Sequence, residues 1–196
     1  MLFRSPWDDD IDLGIPREDY DKLLKIPEKE LPNKYIINSF ENEHEYPYYF
    51  SKVCYEDTVL IEKMTEHLNF RKCIYIDIFP LDGAPNSNLM QRIHFFRIRI
   101  YKKLQNLHHR MTKKDTTLFK EVAIKMIRLL FSRDWIHCKL DKLAKKYSYD
   151  ESNYISNYFG TWGIKEIAPK AYFGDGKLVY FENNQYRVPF NLDGYL

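Results

Sequence analysis

The chain has 196 residues, 44% of them hydrophobic and 30% charged, with a net charge of +2. At that size one domain with a proper core is expected, and no apolar run approaches the roughly 18 residues of a membrane span. No recognised nucleic-acid-binding motif accompanies the charge, and three cysteines without C-x-x-C spacing, Cys54, Cys73 and Cys138, point to a reducing, cytoplasmic setting.

Near its start the chain reads "PWDDDIDLG", residues 6–14, with four carboxylates in five positions. Ile11 and Leu13 alternate with Asp10 and Asp12, which is strand-like and would project both aspartates from one face. Two carboxylates side by side are costly unless a cation neutralises them. "PREDYDKLLKI" predicts a short helix with Pro16 in its first turn. "KYIINSF" and "SKVCYED" predict strands, and "DTVLIEKMTEHL" a helix capped by Asp57 or Thr58. "CIYIDIFPLDG" alternates, with Ile74, Ile76 and Ile78 on one face and Cys73, Tyr75, Asp77 and Phe79 on the other. Pro80 and Gly83 are expected to close that strand.

From Leu89 the period becomes helical. Leu89, Ile93, Phe96, Ile100, Leu104 and Leu107 mark one face of a long helix. Leu118, Val122, Met126 and Leu129 mark a second helix, and Leu140, Leu143, Ala144 and Tyr147 a third. The tail returns to short extended segments, with turns at "GTWG" and "GDGK". The expectation is a single α+β domain over residues 1–196, with a helical segment at 88–147 within it.

Asp10 and Asp12 on one strand and Asp77 on another form the candidate site. Hard oxygen ligands of this kind suit one or two Mg²⁺ or Mn²⁺ ions, which gather nucleotide phosphates and stabilise the attacking and leaving oxygens. Blander readings stand beside it. A run of Asp alone is ordinarily a solvated loop, and Asp77 alone is satisfied by a turn at "PLDG". An EF-hand is disfavoured, because Leu13 stands where glycine is required and Asp19 where a glutamate closes the loop. A D-x-D also occurs in nucleotide-sugar glycosyltransferases, which spacing leaves open. His108 and His109 are adjacent, so on a helix they point about 100° apart and form no shared metal pair. The stretch Gly83 to Lys114 contains no acidic residue. Its basic side chains offer a face to an anionic glycan, a lipid-linked acceptor or a membrane surface, against the simpler reading of a solvated helix face.

"PWDDDIDLGIPREDYDKL" resembles the signature of the LicD family, phosphocholine transferases that share a domain with fukutin and fukutin-related protein. "YPYYFSKVCYEDT" is similar to the family segment around a Lys and a Thr, here Lys52 and Thr58. "YIDIFPLDG" is similar to its second acidic strand, and "VYFENNQYRVPFNLDGYL" to its C-terminal block. The resemblance implies a nucleotidyltransferase (DNA polymerase β-like) type mixed sheet with helices and a helical insertion. It implies transfer of a phospho-alcohol, from CDP-choline or another CDP-alcohol, to a glycan hydroxyl in lipopolysaccharide, teichoic acid or glycoprotein-type glycans.

On this resemblance Asp10, Asp12 and Asp77 are the metal ligands and catalytic carboxylates, Asp77 also accepting the proton of the sugar hydroxyl. Lys52 touches a nucleotide phosphate, against the reading of a solvated lysine. Asp8 does not ligate directly, and Trp7 packs under the strand. The chain would work in the cytoplasm, meeting a lipid-linked acceptor at the inner face of the membrane. Family members carry a helix and a glycine-rich, "GGTLLG"-like turn before the acidic motif, whereas here "MLFRS" precedes Pro6. The domain is therefore expected to lack its first helix and glycine turn. The alternative function is an inactive remnant retaining only metal or glycan binding.

Overall fold

The computed structural model describes residues 11–109, 118–181 and 183–195. In chain order it contains β1 (Asp12–Pro16), α1 (Arg17–Leu23), β2 (Tyr35–Asn38), β3 (Ser51–Tyr55), β4 (Ile74–Ala84), α2 (Asn88–His109), α3 (Leu118–Leu130) and α4 (Arg133–Ala144). There follow β5 (Tyr154–Ser156), β6 (Ile167–Pro169), β7 (Lys177–Phe181), β8 (Asn184–Val188) and α5 (Leu192–Tyr195). This is a mixed α+β fold. Trp7, Asp8, Asp9 and Asp10 lie outside the described residues.

β4 organises the sheet. β3 runs antiparallel to its first five residues, β1 parallel to Asp77–Leu81, and β5 antiparallel to Asp82–Ala84. β2 extends the sheet beyond β3, and β6 beyond β5. The strand was expected to end at Pro80, yet it continues to Ala84. Asp77 donates its backbone N–H to Ile11, so the alternating ladder directs position 80 away from β1. On that other side β3 stops at Ile78, so the proline at position 80 lies past its end, where no β3 residue requires an N–H. Gly83 likewise does not open a loop; a Cβ there would lie 2.3 Å from the Ser148 carbonyl oxygen, so the glycine permits a close backbone approach.

Two further expectations are corrected. Pro16 precedes α1 as the last residue of β1, rather than sitting in the helix's first turn. "DTVLIEKMTEHL" forms no helix but a series of turns. Thr58 bonds the Tyr55 carbonyl and accepts the Ile74 N–H, pinning the segment to the end of β4. Val59, Ile61 and Met64 are then exposed, so the apolar period meets no core that would stabilise helix.

The principal core joins β4 to the helices through Phe79, Ala84, Ile98, Leu140, Leu143, Ala144, Tyr158 and Phe159. Leu140, Leu143 and Ala144 of α4 turn inward as their spacing implies. α2 is inverted. Its buried residues are Gln91, His94, Ile98 and Gln105, while Leu89, Ile93, Phe96 and Ile100 face solvent. Val122, Met126 and Leu129 of α3 are also exposed. Arg17 ties α1 to β4 by a buried double hydrogen bond to Asp82, at 2.7 and 2.6 Å, and lies 3.6 Å from Asp141 of α4. Lys145 bridges Asp21 and Asp141 across the same seam.

Candidate active site

The ladders bring the candidate residues together. Asp12 is opposite Asp77 across the β1–β4 pair, Asp77 opposite Lys52 across β4–β3, and Lys52 opposite Asn38 across β3–β2. Directly opposed residues share a face, so Asn38, Lys52, Asp77 and Asp12 form one polar row across four strands. Asp10, two residues before Asp12, lies outside the described residues.

Lys52 is 3% exposed and Asp77 7%, which excludes the solvated-lysine reading. The Lys52 ammonium donates to Asp77 Oδ1 at 2.8 Å. It also lies over aromatic rings, 3.1 Å from the Tyr75 centroid, 4.4 Å from that of Tyr48 and 5.5 Å from that of Phe50. Tyr48 and Tyr75 both donate to the Glu62 carboxylate, fixing two walls of this box. Burial followed by the Glu62 hydrogen bond raises both phenols, so they stay neutral donors. The ammonium is thus held by ring faces and a carboxylate together.

The face opposite the row is only partly buried. Ile78 is buried, Ile76 half-buried, and Ile74 and Leu13 exposed. The isoleucine face that alternation defines therefore does not anchor the strand along its length; at its start β4 is anchored by the Tyr75 side, packed against Ile36, Cys54 and Cys73.

Two residues that the motif reading missed come from the C-terminal part. Glu166 follows the "GTWG" turn, accepts the Trp162 N–H at 3.1 Å, and has its carboxyl raised chiefly by burial, with a further push from the Asp12 charge. The Tyr195 phenol is pushed up to about 12 by burial and then by Glu166 and Asp12. Both lie within electrostatic reach of Asp12. The available signal was that Glu166 is the sole acid between Glu151 and Asp175. Lys102, counted with the basic run, turns inward instead. It donates to the Tyr158 and Gly160 carbonyls at 3.1 and 3.3 Å, and burial lowers its pKa to about 8. His108 and His109 are half-buried at the end of α2, and burial lowers the His109 pKa to about 4.

Among the described residues no group of three or more His, Cys, Asp or Glu side chains is clustered to hold a metal. The donor chemistry of the row itself fits a hard divalent cation: two carboxylates at matched register on adjacent strands, with a lysine already drawn to their charge.

Fold and row together define a mixed-sheet α+β protein with paired carboxylates on neighbouring parallel strands. No family model matches the chain, and no solved structure matches it. Among curated proteins it is similar to the lipopolysaccharide cholinephosphotransferase LicD of Haemophilus influenzae, with 26% identity over 97% of this chain and 70% of the relative. That similarity supports membership of the LicD family.

Proposed function

We propose that the chain transfers a phospho-alcohol of the phosphocholine type from a CDP-activated donor to a glycan hydroxyl. The observation that carries the reading is the register of Asp12 against Asp77, beside Lys52. The likeness to a lipopolysaccharide cholinephosphotransferase supports the donor and acceptor classes. A nucleotidyltransferase-type fold belongs to the same proposal.

In this reading Asp12 and Asp77, with Asp10, hold Mg²⁺ or Mn²⁺. The bound ion would supply positive charge to the donor's phosphates. The acceptor hydroxyl oxygen attacks the phosphorus that bears the alcohol, the bond to CMP breaks, and the hydroxyl proton passes to a carboxylate of the row. Lys52 holds Asp77 in one orientation while that happens. Glu166 and Tyr195 lie within electrostatic reach of Asp12 from the C-terminal part of the chain.

The test is release of CMP from CDP-choline by the purified chain with Mg²⁺ and lipopolysaccharide, compared with the same mixture in EDTA. The reading predicts Mg²⁺-dependent release that Asp77→Asn abolishes. Release unaffected by EDTA or by Asp77→Asn would overturn it.

A further inference from the structure

We propose that α2 is an interfacial helix that docks the protein on an anionic lipid surface. At about 100° per residue, the exposed stripe of Leu89, Ile93, Phe96 and Ile100 is centred roughly 160° from the buried stripe of Gln91, His94, Ile98 and Gln105. The apolar side of this helix thus points away from its own protein. Phe96 is 63% exposed and Leu89 66%. Among the described residues nothing covers the stripe.

Charge identifies the occupant. Arg92, Arg99 and Lys103 flank the stripe on one side and Arg97 on the other, all exposed. None of the four forms an ion pair among the described residues. No acidic residue occurs between Gly83 and Lys114, so the helix itself carries no carboxylate to compete with an anionic partner. A folded protein that exposes an apolar stripe normally hides it against another surface. An apolar stripe edged by Arg and Lys on both sides matches acyl chains beneath phosphate headgroups. A second copy of this chain would instead bring like charges face to face.

The docked helix would hold the site at the surface. The turn Gly163–Glu166 packs against α2, with Phe95 3.9 Å from the position of a Cβ on Gly163. Trp162, just before that turn, and Ile164 within it are exposed, adding an aromatic anchor beside the helix. Glu166, at its end, is the group that senses Asp12. Docking and transfer are nevertheless separable, because lipid binding requires neither metal nor donor.

Vesicle flotation tests the proposal, using the whole chain with vesicles of phosphatidylcholine alone or mixed with phosphatidylglycerol. The chain should float with the anionic vesicles, less as salt is raised, and stay behind with the neutral ones. Arg92→Gln, Arg99→Gln and Lys103→Gln combined should weaken partition on the order of a hundredfold. Phe96→Ser with Ile100→Ser should also abolish flotation, while Val59→Ser with Met64→Ser, at positions even more exposed elsewhere, should leave it unchanged. Circular dichroism establishes that each variant is folded, and all substituted side chains are exposed. Failure of the unaltered chain to float, equal binding to neutral vesicles, or flotation indifferent to the α2 variants would each overturn the proposal. So would concentration-dependent dimerisation in sedimentation that Phe96→Ser disperses, since the stripe would then belong to a second copy.

Discussion

Lys52 and Asp77 show how one pair gives the site its order. Both are buried, and the ammonium is shared between a carboxylate and the rings of Tyr75 and Tyr48. Removing one member of such a pair leaves a charge in a poorly solvating place. Lys52→Met is therefore expected to destabilise the protein by about 3–5 kcal/mol, with part of the loss recovered by Mn²⁺, which replaces the missing positive charge. Urea denaturation with and without Mn²⁺ measures both effects; an unchanged midpoint would mean that the pair contributes nothing. The alternation of Asp10 and Asp12 with apolar residues, and of Asp77 within its own strand, was legible in the chain because a period of two is local. The partner of Asp77 was not. Whether Lys52 faces solvent or a carboxylate is decided by the strand register, which depends on residues 25 positions apart.

At the scale of elements, periodicity tells which residues share a face but not which face turns inward. The α2 stripe was read correctly as a stripe, and the fold turns its back to it, burying His94 against Tyr147 and Tyr158 instead. The segment from Asp57 to Leu68 has helical spacing but leaves Val59, Leu60, Ile61 and Met64 exposed, so its side chain–backbone bonds at Thr58 prevail. β4 illustrates the converse: its length was hidden by Pro80, whose tolerance depends on where the pairing with β3 stops. The uneven burial along this strand gives a graded prediction. Ile78→Ala should cost about 2–4 kcal/mol, whereas Ile74→Ala should stay within about 0.5 kcal/mol. Denaturation midpoints of the two variants check the gradient, and equal losses would contradict the burial pattern.

For the whole molecule, the helical layer makes stability depend on acidity. Burial lowers the pKa of His94 and of His109 to about 4 in the folded chain. The unfolded chain takes up those protons near the ordinary histidine value of roughly 6.5. Between these limits the unfolded state binds more protons, so stability is present above about pH 6.5 and is lost as pH falls toward 4. Thermal unfolding across that range should show the decline, and His94→Phe should shallow it. A flat profile would show that the histidines are not held neutral. The C-terminal part that brings Glu166 and Tyr195 to Asp12 also belongs to this scale. Their approach crosses more than 150 positions of sequence and leaves no local pattern to read.

We propose that Asp12 and Asp77 jointly hold a divalent cation. Isothermal titration of Mn²⁺ into the unaltered chain, Asp12→Asn, Asp77→Asn and the exposed control Asp19→Asn tests it most directly. One saturable site is expected, weakened about tenfold or more by each of the first two substitutions and unchanged by the third. Equal Mn²⁺ affinity in all four proteins, or a loss confined to Asp19→Asn, would contradict it.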